Sequence, residues 1–342
     1  MKKLIEKVNF REIGIVYALL ILWAALIATN ESFRRFGSFN SILREASFSG
    51  ICGIGMTYCI ASRHFDQSIG SMTAFISCCL TIMLSSFTKS MGFAGIIPAI
   101  LLAVALGAAC GLFNGLLVAK LRIPAFIATL GTLYAYRAFA YIVSKGEPVT
   151  LNLSMDKYLS ALFRYLGYGD IMGIPIPFWI MVVCGVSGTI MLRKTALCRH
   201  ILAIGNSVQA SHISGINIDK TKILIFILVG FFTGIGAVLN TAFLGSSNPG
   251  MNTGFEFTVI SVVVLGGTAL AGGKGSIFNT ITAAIFLCTV TTGMNAFGID
   301  SFAQRAVQGV ILLFAFSINS IRYMAEAYGI RKKAAQAAAC PQ

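Results

Sequence analysis

Apolar runs of about twenty residues recur along the whole chain, separated by short polar or glycine-rich breaks. A helix needs about 20 such residues to cross roughly 30 Å of hydrocarbon. Ten candidate spans follow, near 13–29, 47–62, 70–88, 93–119, 124–143, 175–192, 223–244, 257–270, 277–298 and 305–321. Transmembrane strands would alternate apolar and polar positions in short segments, whereas 95–119 and 223–244 are nearly continuous in apolar and small residues. The pattern predicts an all-α polytopic transmembrane helical bundle of about ten spans, forming one domain embedded from about 13 to 321. The run at 257–270 is short for a crossing. Either the glycine-rich stretch after it completes the span, or it does not cross fully.

Two hydrophilic segments exceed hairpin length. The first, 144–173, mixes Lys145, Glu147, Asp156, Lys157, Arg164 and Asp170 with Tyr158, Phe163 and Tyr165, which fits a partly helical piece at the membrane interface. The second, 193–222, starts on Arg193-Lys194, breaks at Gly205-Asn206, runs through an amphipathic stretch 208–213 and turns at Ser214-Gly215. A short helix along the membrane surface satisfies both breakers.

Composition sharpens this picture. Of 342 residues 56% are hydrophobic and 11% charged, against about 25% charged in ordinary soluble domains. The net charge of +14 would point to nucleic acid if it were clustered, but the basic residues sit at the ends of apolar spans. Lys and Arg are enriched on cytoplasmic flanks of membrane proteins. With the N-terminus inside, 17 of the 26 fall on the inner side and eight outside, with Arg137 inside a span. Both termini are therefore expected in the cytoplasm, with 193–222 facing inward and 144–173 outward. The first run, 13–29, is longer than the apolar core of a cleavable signal and reads as an uncleaved helix.

Little enzymatic chemistry is visible. The nine cysteines form no CxxC pair. Cys198 and His200 lack the further ligands a metal site needs. There is no G-x-S-x-G nucleophile and no paired carboxylates among candidate catalytic groups. The glycines near Lys274 do not make a phosphate loop, because Thr268 stands where its first glycine belongs and Gly275 where its Ser or Thr belongs. A break in a membrane helix, packed against a neighbour or lining a polar cavity, is the physical alternative.

The polar residues inside apolar surroundings carry more weight. Asp66 is the only acidic residue between Glu45 and Glu147, at the joint of two spans. A carboxylate there is either functional or an N-cap for the helix after Ser68. Asn114, Asn240 and Asn295, inside or near the ends of spans, either bond a solute hydroxyl along a translocation path or join helices. Gly107, Gly111 and Gly115, like Gly230 and Gly234, repeat every four residues. Smooth helix faces of that kind predict close packing within the subunit.

Four segments, in order, resemble the permease subunits of ribose-type sugar ABC importers, within the branched-chain amino acid/sugar permease superfamily. Arg63-His64-Phe65-Asp66-Gln67-Ser68-Ile69-Gly70-Ser71 is similar to a Gly-x-Ile/Phe-Asp-Leu/Ile-Ser-Val/Ile-Gly-Ser signature. Asn114-Gly115, followed by Pro124 to Thr132, matches Asn-Gly and Pro-x-Phe-Ile/Val-x-Thr-Leu-Gly-Thr. Ala203-Ile204-Gly205-Asn206 through Ser214-Gly215-Ile216 resembles that family's cytoplasmic segment, and Val263 through Ser276 its Gly-Gly-Thr and Gly-Gly-Lys-Gly-Ser run. Together they span about residues 50–310. Departures include Arg63-His64 in place of glycines, Gln67 in place of an aliphatic residue, Asn206 in place of a second glycine and Ser211 in place of an alanine.

The resemblance implies a permease dimer, built from a second copy or a homologue. It implies that a separate ATP-binding cassette subunit binds and hydrolyses ATP, so this chain carries no cofactor, and that an extracytoplasmic solute-binding protein delivers a pentose-like sugar. The segment from Cys198 to Asp219, with Gly205, Asn206, Ala210, Ser211, Ser214 and Gly215, would couple to the ATPase. Its run of Ala203, Ile204, Val208, Ala210, Ile213 and Ile216 is too apolar for a merely solvated loop. The loop 144–173 and the segment 246–253 are the expected docking surfaces outside. Two other readings stand beside this one: a permease for branched-chain amino acids or nucleosides, and a stand-alone secondary transporter or channel. The tail 322–342 is either frayed or a helix on anionic membrane lipid.

Overall fold

The computed structural model describes residues 14–151 and 156–317, apart from the Ser32 side chain. The basic N-terminal residues Lys2, Lys3, Lys7 and Arg11, the end of the tenth expected span and the tail 322–342 lie outside the described residues. Thirteen α-helices are described: α1 (Gly14–Thr29), α2 (Phe36–Ala61), α3 (Ile69–Met91), α4 (Ile96–Ala119), α5 (Ala125–Ser144), α6 (Lys157–Tyr168), α7 (Ile176–Lys194), α8 (Ala196–Asn206), α9 (Val208–Ile213), α10 (Ile218–Leu244), α11 (Phe255–Leu265), α12 (Ile277–Ala296) and α13 (Ser301–Ser317). Each of the ten apolar runs overlaps one of them. Length and apolarity qualify five stretches to cross a bilayer: 69–119, Ala125–Ser144, Ile176–Lys194, Ile218–Leu244 and Ile277–Ala296. The first of these is two helices, α3 and α4, folded back at a 3-10 turn over Gly92–Gly95.

Helix α2 is the hub. From Ala46 to Ala61 every residue is buried, and it packs against α7, α10, α11 and α12. Its small residues admit neighbours on several sides, as tight packing in lipid requires. A Cβ on Gly55 would stand 2.9 Å from the Val229 Cα of α10, and one on Gly53 2.9 Å from Thr280 of α12. Hydropathy alone places its start near 47, because Ser38, Asn40, Ser41, Arg44 and Glu45 disguise the first turns. Those turns bind α6 and its flank: Arg44 lies 5.2 Å over the Tyr168 ring and 3.3 Å from Asp170.

Helices α4 and α10 form the closest pair. Cβ atoms on Gly107 and Gly111 would stand 2.4 Å from the Gly230 carbonyl oxygen and 2.1 Å from that of Phe226, and one on Gly234 2.9 Å from the Val104 Cα. The four-residue glycine spacing thus seals an intrasubunit seam.

Helix α11 has 11 residues, about 16 Å at 1.5 Å per residue, and does not cross alone. A loop of five glycines over 266–276 connects it to α12. On the opposite side α6, N-capped by Asp156, seats Gly167 on the backbone of Ala242 and Phe243. Strand β1 (Val149–Thr150) pairs antiparallel with β4 (Ser246–Ser247), and β2 (Asp170–Ile171) with β3 (Ile174–Pro175). The first pairing joins the two segments expected to dock a delivery protein.

Candidate coupling and translocation sites

After α2 the chain makes a hydrogen-bonded exit turn and dips back into the bundle before α3. There Asp66 is fully buried. Its Oδ1 accepts from the Ser68 backbone N–H at 2.8 Å and from Ser68 Oγ at 2.6 Å. Its Oδ2 accepts from Asn114 Nδ2 at 3.1 Å. The same amide nitrogen donates to Ser68 Oγ at 2.9 Å, and Tyr136 Oη donates to Asn114 Oδ1 at 3.1 Å and to the Cys110 carbonyl at 2.9 Å. Helices α3, α4 and α5 therefore meet in one buried polar network. Asp66 is not the N-cap of α3: that position is Ser68, which makes no side-chain capping bond, while the Asp66 carboxylate closes the turn ahead of it and receives a bond from α4. Nearby, the Gln67 backbone N–H donates to Thr129 Oγ1 at 3.1 Å.

A second cluster lies farther along α3. Asn252, with φ of 56°, donates to Thr73 Oγ1 at 3.0 Å and accepts from Asn240 Nδ2 at 3.5 Å. Arg137 Nη1 donates to the carbonyls of Pro249 and Met251, both at 2.7 Å. Buried Glu256 opens α11 beside Gly70, where a Cβ would meet its carboxylate. Sequence reading missed Glu256 and Asn252, although an acidic residue opening an apolar run was the available signal. Asn295 is placed apart: its Oδ1 accepts from Gln304 Nε2 at 2.6 Å, at the turn between α12 and α13. Asp66 and Asn114 are thus brought together, Asn240 belongs to the second cluster, and Asn295 joins neither.

The surface segment resolves into two helices where one was expected. Gly205-Asn206 ends α8, and Ser207 caps α9, its Oγ accepting from Ala210 N–H at 3.2 Å. Ile213 ends α9, and Gly215 makes the following turn with φ of 78°. Helix α8 belongs to the core, burying Cys198, Ile201, Ile204 and Gly205, so Ile204 is not part of an exposed patch. What remains open is α9, with Val208 44% and Ile213 86% exposed. Of the residues expected to couple, Asn206, Ala210, Ser214 and Gly215 are exposed, whereas Gly205 and Ser211 face inward. A Cβ on Gly205 would stand 2.0 Å from the Ala61 carbonyl oxygen. Among the described residues, no three His, Cys, Asp or Glu side chains gather as a metal site would need.

A helical bundle with five apolar stretches long enough to cross a bilayer and polar clusters buried among them is the architecture of a polytopic membrane protein. The chain belongs to the family described as branched-chain amino acid transport system / permease component, whose model matches residues 38–316. It is 34% identical over 303 residues to the ribose import permease protein RbsC of Escherichia coli (strain K12), covering 89% of this chain and 92% of that protein. It is 34% identical over 320 residues to the L-arabinose transport system permease protein AraH of the same strain, covering 91% and 90%. The ribose import permease protein RbsC of Bacillus subtilis (strain 168) is 32% identical over 312 residues, covering 90% and 92%. No solved structure matches.

Proposed function

We propose that this chain is the permease subunit of an ABC importer that carries a pentose-like monosaccharide across the cytoplasmic membrane. The observation that carries the reading is kinship over about nine-tenths of the chain to permeases named for ribose and arabinose, two pentoses. ATP is bound and hydrolysed by a separate cassette subunit, which seats α9, and an extracytoplasmic solute-binding protein docks over the β1–β4 face. A second permease copy or homologue completes the pore. The whole chain forms one domain of about ten membrane segments with both termini inside. The excess of Lys and Arg on one side supports that orientation. Asp66, Asn114, Asn240 and Asn295 are assigned to the translocation path.

The family description also raises branched-chain amino acids. A zwitterion prefers charged or helix-terminal partners inside the membrane, and the Arg137 guanidinium beside the second cluster already serves two carbonyls. A neutral polyol suits the amide- and hydroxyl-lined clusters better.

The test is to tag the chain in native membranes, extract it gently and identify what co-purifies, for the wild type and for Val208→Glu with Ile213→Glu. An ATPase subunit that is retained by the wild type and lost from the double variant is the expected result. In proteoliposomes holding the complex and its binding protein, ATP-dependent uptake of labelled ribose or arabinose follows. Solute uptake by the chain without any ATPase would replace this reading with a stand-alone transporter.

A further inference from the structure

Three segments distant in sequence interlock beneath the bundle. Helix α2 ends in a tight closure: His64 N–H donates to the Cys59 carbonyl at 3.0 Å and Arg63 N–H to that of Ile60 at 2.9 Å. Such closures place their pivot residue in the left-handed region, where glycine is usual. Arg63 occupies it, with φ of 63°. A non-glycine residue pays about 1 kcal/mol for that backbone, so the side chain needs another justification.

Its contacts supply one. Arg63 Nε donates to the Ala271 carbonyl of the glycine loop, and Nη2 donates to the Asn206 carbonyl at the end of α8, at 3.1 Å. The loop closes the triangle, because Gly273 N–H donates to the Ala61 carbonyl at 2.8 Å. Glycines make the approach possible: a Cβ on Gly205 would stand 2.5 Å from Gly273 N, and one on Gly272 2.6 Å from both Arg63 Cγ and the Gly205 carbonyl oxygen. A guanidinium spreads several donors over a rigid plane, which lets one side chain hold two carbonyls from different segments. An ammonium on a flexible stem lacks that fork.

We propose that Arg63 is a positioning residue that pins the α8–α9 junction to the glycine loop and the end of α2, so that displacement of α9 reaches α11, α12 and the Asp66 turn as one body. This rests on the proposed coupling role of α9. The pin itself is independent of that role, which allows the two to be tested apart.

Hydrogen–deuterium exchange on the complex in nanodiscs, with and without Mg-ATP and orthovanadate, tests it. Arg63→Gly keeps the backbone geometry and removes the fork; Arg63→Lys keeps the charge alone. Without nucleotide, amides at 203–207 and 270–274 should exchange at least 5-fold faster in Arg63→Gly, in the isolated chain as in the complex. With vanadate trapping, the wild type should change exchange in both α8–α9 and the loop. In Arg63→Gly the change should stay in α8–α9, and Arg63→Lys should not restore the loop's response. Unaltered exchange in Arg63→Gly overturns the pin. Faster exchange with an undiminished loop response overturns the positioning role while leaving the importer reading intact. A chain that binds no ATPase subunit defeats the importer reading, and the role with it, although the isolated chain still reports on the pin.

Discussion

The glycine seam between α4 and α10 makes a prediction whose sign depends on which glycine is changed. In Gly111→Ala the new Cβ would lie 2.1 Å from the Phe226 carbonyl oxygen, 2.8 Å from its carbon and 3.1 Å from the Ile227 Cα. All three neighbours are backbone, so no rotamer change relieves the overlap. Restoring ordinary contact at about 3.4 Å parts the helices by roughly 1 Å, enough to forfeit a quarter to a half of the local dispersion attraction. Overpacking of this kind costs about 1–3 kcal/mol, and the better helix preference of alanine returns about 1 kcal/mol. Gly111→Ala should therefore lose up to about 2 kcal/mol. Gly131, exposed on α5 with nothing near its missing Cβ, receives only the helix term, so Gly131→Ala should gain about 0.5–1 kcal/mol. Thermal unfolding in detergent with a thiol-reactive fluorophore reads both, because Cys52 and Cys59 are free and buried until the bundle opens. A Gly111→Ala protein melting at or above wild type, or a Gly131→Ala protein falling as far, would refute the reasoning.

The Asp66 network predicts that Asn114→Leu removes three hydrogen bonds at nearly constant volume, costing about 2–3 kcal/mol. Tyr136→Phe should cost less than half of that, and equal melting points for the two variants would break the assignment. Ser207→Ala should remove about 1 kcal/mol from the start of α9, seen as faster amide exchange over 208–213 with unchanged exchange in α10; no local change would dismiss the cap. Trp23 Nε1 donates to Thr289 Oγ1 at 2.9 Å, tying α1 to α12. Trp23→Phe and Thr289→Val should therefore be less than additive in melting point, and strict additivity would deny the bond.

What the sequence made legible was what depends on solvent. The bilayer sets a length and a polarity for each helix, so ten apolar runs mark ten helices, and the breakers Gly205-Asn206 and Ser214-Gly215 mark the ends of α8 and α9. The four-residue glycine spacing was readable because backbone contact in lipid has few other solutions. The first ten residues of α2 were hidden because that end is held by Arg44, Tyr168 and Asp170, so its polar residues carry no apolar signal. The core role of α8 was hidden for the opposite reason. An apolar stretch between polar breakers looks the same whether it faces a partner or its own bundle, and only three-dimensional packing separates buried Ile204 from open Ile213. Arg63 shows the limit most sharply: as a letter it replaces a glycine and adds positive charge, while its left-handed backbone and two carbonyl partners, 143 and 208 residues away, exist only once three segments have come together. A substitution that looks like a tolerated departure in one dimension can therefore join segments in three, and the exchange response of the glycine loop is where that difference becomes measurable.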